Sequence, residues 1–137
     1  MPQVNYLAVL VAAAASFIVG GLWYSSLLFV KPWMAENRMS VDAWKAAPPS
    51  MARLYGTAFF TALLAAFLMA VLLVTVNHHG LLSGLKRGFA AGLCWVATAF
   101  GSSYAFERKS LRHWAINAGY FVVQFTVMGA ILGLMNE

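Results

Sequence analysis

The side chains able to do chemistry in this chain are few, and they stand at the margins of long apolar runs. Trp23, Tyr24, Ser25 and Ser26 close the first run, and Tyr55, Thr57 and Thr61 open the second. Ser102, Ser103, Tyr104 and Glu107 close the third; His113, Trp114, Asn117 and Tyr120 open the fourth, with Gln124 one turn deeper. Asn117, Tyr120 and Gln124 fall at i, i+3 and i+7 and share one helix face. These are hydrogen-bonding groups and aromatic rings, not proton-transfer pairs. Amides in apolar surroundings need partners, so bonding between helices, with an aromatic belt at the membrane boundary, is the first expectation. The sharper alternative is a polar crevice lined by Trp23, Tyr24, Tyr104, Glu107, Asn117, Tyr120 and Gln124, holding a lipid headgroup or small amphiphile.

Other chemistries find little footing. No Asp, Glu, Lys, Arg or His falls in the central part of any apolar run, where such groups usually mark ion or proton pathways. This argues against a proton-coupled pump, against the small multidrug transporters that need a membrane-embedded carboxylate, and against an intramembrane enzyme. His78-His79 sit in a turn with no third ligand nearby, a poor metal site. No metal and no cofactor is expected. Glu107 stands on the crowded basic side, and Arg53 or Arg112 is its expected ion-pair partner. Cys94 is the only cysteine and reads as a small hydrophobe.

The elements that must position these groups follow from composition. Of 137 residues, 62% are hydrophobic and 9% charged, with a mean hydropathy of +0.75; soluble domains carry roughly 25% charged residues. Lipid must therefore solvate much of the chain. Four apolar segments, about 6–29, 51–76, 81–106 and 111–135, each supply the roughly 20 residues that cross about 30 Å of hydrocarbon. Residues 1–137 thus read as one all-α membrane domain, a bundle of four transmembrane helices. Asn5, Ser50 and Ser110 stand where first-turn caps are needed. The start lacks the cationic region of a secretory signal, so the first helix is expected to be retained.

The connection 30–50 is the only sizeable extramembrane piece. A turn beginning at Pro32 and a second, capped by Ser40, are expected to form short interfacial helices. Trp33, Met34, Met39, Val41 and Trp44 make this stretch too apolar for a free loop, so it lies on the bilayer or covers the mouth of the bundle. Lys31, Arg38, Lys45 and Arg53 belong to the first connection and Arg108, Lys109 and Arg112 to the third; the opposite side has only Lys86 and Arg87. The positive-inside rule then puts both termini on the non-cytoplasmic side. The basic excess has no patterned stripe, so nucleic acid is not an expected partner.

Small residues let helices approach in lipid. Ala8, Ala12, Ser16 and Gly20 repeat every fourth position, as do Gly84, Gly88 and Gly92, and Gly129 with Gly133. They predict either packing within the bundle or a seam between copies. The exits Gly21-Leu22-Trp23-Tyr24-Ser25 and Gly101-Ser102-Ser103-Tyr104-Ala105 also hint at a duplicated helical hairpin.

Three stretches carry a resemblance: Gly21-Leu22-Trp23-Tyr24 with Leu28-Phe29 and Lys31-Pro32-Trp33; Tyr104-Ala105-Phe106-Glu107-Arg108; and Asn117-Ala118-Gly119-Tyr120 leading to Met128-Gly129-Ala130-Ile131-Leu132. They resemble small bacterial and fungal membrane proteins grouped as domain of unknown function 1761, across nearly the whole chain. The resemblance implies four transmembrane helices and supplies no activity, cofactor or catalytic residue. Relatives often have histidine directly after the Gly-Tyr pair, where this chain has Phe121. The leading expectation is a non-enzymatic integral protein of a bacterial inner membrane, self-associating or docked on a larger membrane complex, with lipids and other transmembrane helices as partners. The alternative is a small carrier or binder of an uncharged or amphiphilic molecule in the crevice.

Overall fold

The computed structural model describes residues 3–77 and 79–135, which form helices joined by turns and short irregular links, with no strand among them. In chain order the helices are α1 (Tyr6–Trp23), α2 (Val30–Glu36), α3 (Val41–Ala46), α4 (Met51–Thr75), α5 (Leu81–Ala91), a π-helical turn (Gly92–Ala97), α6 (Thr98–Phe106) and α7 (Leu111–Met135). Four helical stretches are long and apolar enough to cross a membrane: α1, α4, the continuous run Leu81–Phe106, and α7. The chain is a small four-span membrane protein.

Each start has a local cause. Asn5 Oδ1 accepts from the Ala8 amide at 3.1 Å, while its Nδ2 donates to the Met135 carbonyl, also at 3.1 Å. One side chain thus begins α1 and ties it to the end of α7. Ser40, Ser50 and Ser110 cap α3, α4 and α7 in the same way. Arg38, Asn77 and Arg108 adopt left-handed backbone just past helix ends (φ 53°, 53° and 57°). At α6 the Lys109 amide bonds to the Tyr104 carbonyl and the Arg108 amide to Ala105, a closure that usually uses glycine.

Two boundaries differ from expectation. The first span stops at Trp23 rather than at Phe29, because Ser25 Oγ takes the Leu22 carbonyl at 2.7 Å and the Phe29 amide folds back onto the Trp23 carbonyl at 3.0 Å. The Trp23 and Phe29 rings then meet at 4.6 Å. Helix α2 begins at Val30, two residues before Pro32. Proline is tolerated there because first-turn amides have no intrahelical partner to lose.

Small residues build the core. Ala8, Ala12, Ala13, Ala62, Ala66 and Ala70 pack with Met69, Leu73, Met128 and Leu132, all buried, and Ser16 is buried beside them on α1. The glycine series on α5 meets the backbone of α7. A Cβ on Gly84 would collide with the Gly129 carbonyl, one on Gly129 with the Gly84 carbonyl, one on Gly88 with the Phe125 carbonyl, and one on Gly133 with the Gly80 carbonyl. A Cβ on Gly92 would come within 2.9 Å of Val122 Cα. The glycine seam therefore lies within one chain. Gly80 closes it: its φ of 98° and ψ of 157° suit glycine alone, and its amide bonds to the Gly133 carbonyl at 2.9 Å.

The π-helical turn was not anticipated from the sequence. Widening a helix by one residue displaces its carbonyls from their usual partners. Trp114 uses this opening: its indole N–H donates to the Ala97 carbonyl at 2.9 Å.

Candidate functional site: a roofed aromatic cavity

The polar residues at the α1 exit and the α7 start form a closed network. Tyr24 donates to Asn117 Oδ1 at 2.8 Å, and Asn117 Nδ2 donates to the Tyr104 hydroxyl at 2.7 Å. Asn117 is thus held from both sides by the two exit tyrosines, which occupy matching places in the repeated exit sequences. The Trp23 indole donates to the Ile116 carbonyl at 2.9 Å, and Tyr120 donates to the Ser16 carbonyl at 3.3 Å. Gly20 leaves room for that phenol, since a Cβ there would lie 2.9 Å from its oxygen.

Of the seven residues expected to line a crevice, Tyr24 and Tyr120 border open space and the other five do not. Asn117, Tyr104 and Trp23 face one another and the backbone, so their polar groups serve helix association. Gln124 is 5% exposed, one turn from Tyr120, and its Oε1 has no hydrogen-bond partner. Glu107 is exposed and pairs with Lys109 at 3.0 Å, not with Arg53 or Arg112. The left-handed turn at Arg108 brings Lys109 back over the helix end, where its ammonium also lies 4.4 Å from the Tyr104 ring centroid. The Glu107 side chain, through its hydrogen bond, holds the Lys109 ammonium above its usual pKa. Arg112 instead approaches Glu36 at 3.9 Å.

The open space lies on the other side of Tyr24 and Tyr120. A cavity of about 610 Å³ sits between the α1 exit and the α4 start. From α1, Phe17, Gly20 and Gly21 form one wall, and from α4, Met51, Leu54, Tyr55 and Ala58 form the second. Tyr24 and Tyr120 close the inner side; Val30, Trp33 and Met34, on α2, and Trp44, on α3, roof it. No side chain lies within 4 Å of the position a Gly21 Cβ would take. The early end of α1 creates the space, because the chain must then bridge to α4 through α2 and α3.

The roof is fastened. Trp33 meets the Tyr24 ring edge-on at 5.7 Å. Glu36 Oε2 accepts from Ser110 Oγ at 2.7 Å, at the capping residue of α7. Through these contacts α2 lies against the α1 exit and the start of α7. A separate apolar groove of about 410 Å³, lined by Tyr6, Val9, Leu10, Phe60, Leu64 and Phe67, also lies between α1 and α4. On α4 its residues belong to a different flank from those at the cavity, so the two spaces are distinct.

The family described as Protein of unknown function (DUF1761) matches residues 7–133. The chain belongs to the DUF1761 family. No curated protein and no solved structure matches it. The DUF1761 match reaches into all four long helices and takes in the network around Asn117 and every residue of the cavity. In this DUF1761 chain, Phe121 stacks on Phe100 with ring centroids 5.3 Å apart and meets Tyr120 at 4.9 Å. Among the described residues no three His, Cys, Asp or Glu side chains come together as a metal site. His78 lies outside the described residues, and His79 bonds to Asn77 at 3.1 Å.

Sequence reasoning placed Tyr24 and Tyr120 at the site and offered the first connection as a cover, but missed the lining from α4. Two signals pointed there: the excess of Trp and Met in the first connection, and paired Gly20-Gly21 opposite an aromatic Tyr55.

Proposed function

We propose that this chain is a non-enzymatic membrane protein that binds a small amphiphilic or apolar molecule in the roofed cavity. The observation that carries the reading is a cavity of about 610 Å³, within the roughly 300–1,000 Å³ of ligand sites. It sits where a membrane helix ends, the depth at which an amphiphile changes from tail to head. Its lining holds no carboxylate, imidazole, thiol or amine, which supports binding over catalysis. The glycines that could have served a dimer are occupied between α5 and α7, so the reading needs no second copy; lipid is the partner it requires.

The same reading places the roofed end in the cytoplasm of a bacterial inner membrane. Seven of the nine Lys and Arg residues lie at that end, in keeping with the positive-inside rule.

Gly21→Leu provides the test, because Gly21 lines the cavity and the position of its Cβ is clear of other atoms. Native mass spectrometry of gently extracted wild-type protein is expected to show a retained small guest at defined stoichiometry, absent from the folded variant. Equal retention by both proteins would overturn the reading.

A further inference from the structure

Tyr24, Trp33, Trp44, Tyr55 and Tyr120 all line the cavity. The Tyr24 ring meets Trp33 at 5.7 Å with an interplanar angle of 69°, and Tyr120 at 5.4 Å with an angle of 60°. Trp33 and Tyr120 thus meet Tyr24 edge-on, and none of the three rings stacks face to face on another. Tyr24 and Tyr120 direct their hydroxyl protons into the bundle, toward Asn117 Oδ1 and the Ser16 carbonyl. What these two phenols leave toward the cavity is π density and oxygen lone pairs, while the indole N–H groups of Trp33 and Trp44 and the Tyr55 hydroxyl belong to the other walls. Lys31, Arg38, Lys45 and Arg53 lie close in sequence to the lining residues, yet all four are exposed and none lines the cavity. An aromatic interior thus lies beside a connection whose four cations outnumber its two acids, Glu36 and Asp42.

We propose that the cavity selects an amphiphile with a choline-type zwitterionic head, its quaternary ammonium boxed by Tyr24, Trp33, Trp44 and Tyr55 and its phosphate turned to the basic connection. The proposal rests on the reading of the cavity as an amphiphile site. An ammonium bearing N–H groups is strongly hydrated, and no carboxylate in the lining replaces that water. A methylated ammonium is itself apolar at its surface and gains from aromatic faces. A head that is only cationic meets repulsion from that connection, and one that is only anionic finds no proton donor on the inner wall.

Trp33 and Trp44 report occupancy through their own fluorescence. The full chain, purified in maltoside micelles, is titrated with dodecylphosphocholine, with dodecyltrimethylammonium, and with the carbon isostere of the first, in which a tert-butyl group replaces the trimethylammonium. Dodecylphosphocholine is expected to saturate and to bind at least tenfold more tightly than either of the others. Trp44→Leu weakens its binding by about five- to thirty-fold and leaves the isostere nearly unchanged. Should Trp44→Leu fail to elute as a single species, Tyr55→Leu, at an exposed position of α4, gives the same comparison. Equal affinity for the isostere overturns the aromatic selection, and equal affinity for dodecyltrimethylammonium overturns the zwitterionic head; in both cases the cavity remains an amphiphile site. No saturable response to any of the three overturns the cavity reading as well.

Discussion

Asn117 has one amide and two phenols to satisfy it, and that arithmetic decides its role. This half-buried amide accepts from one tyrosine and donates to the other, so it joins α1, α6 and α7. Such interhelical bonds contribute only about 0.6 kcal/mol each in membranes, so the network sets the angle of the helix ends more than it stabilises the bundle. Gln124 is the opposite case. Its buried Oε1 lacks a partner, which costs about 1–3 kcal/mol. Gln124→Met, similar in length and without the amide, is expected to raise stability by about 1 kcal/mol, read as a thermal midpoint a few degrees higher in detergent. A lower midpoint would mean that the amide oxygen is satisfied in the membrane. From the sequence, Asn117, Tyr120 and Gln124 were legible as one helix face. Which of them was already partnered was not, because that depends on Tyr24 and Tyr104 arriving from other helices.

At the level of elements, the α5–α7 seam and the roof behave differently under substitution. Backbone meets backbone along Gly84, Gly88, Gly129 and Gly133, so an added methyl has nowhere to go. Gly84→Ala is expected to destabilise the bundle by about 1–3 kcal/mol, whereas Gly21→Ala, in a helix and facing open space, stabilises it by up to about 1 kcal/mol. Thermal unfolding of the two variants side by side checks both signs; an unchanged Gly84→Ala midpoint would detach α5 from α7. The caps at Asn5, Ser40, Ser50 and Ser110 were readable from residue type alone. The early end of α1 was not, since it turns on Ser25 competing for the Leu22 carbonyl. The π-helical turn was equally hidden, being fixed by the fit of α5 and α6 along α7 and by the Trp114 indole.

For the whole molecule, four long apolar runs and their charge-poor interiors made the all-helical membrane architecture legible without coordinates. The spacing of small residues located the packing faces, but could not say that their partners lay in the same chain. Least visible was the cavity, because it arises between elements: the gap left by the short α1, the wall of α4 and the cover formed by α2 and α3. Glu36 fastens that cover to Ser110 and lies near Arg112, linking the first and third connections at the basic end. The function proposed above needs a covered cavity that faces the cytoplasm and takes up an amphiphile. Met34 lines it from the roof, so a single thiol at that position, as Met34→Cys with Cys94→Ala, reports on side and occupancy together. That thiol is expected to react with a membrane-impermeant maleimide in inside-out vesicles and not in intact cells, slowed several-fold by dodecylphosphocholine kept below the concentration that dissolves the vesicles. Reaction from the outside of intact cells, or a rate indifferent to the amphiphile, would contradict the proposed function.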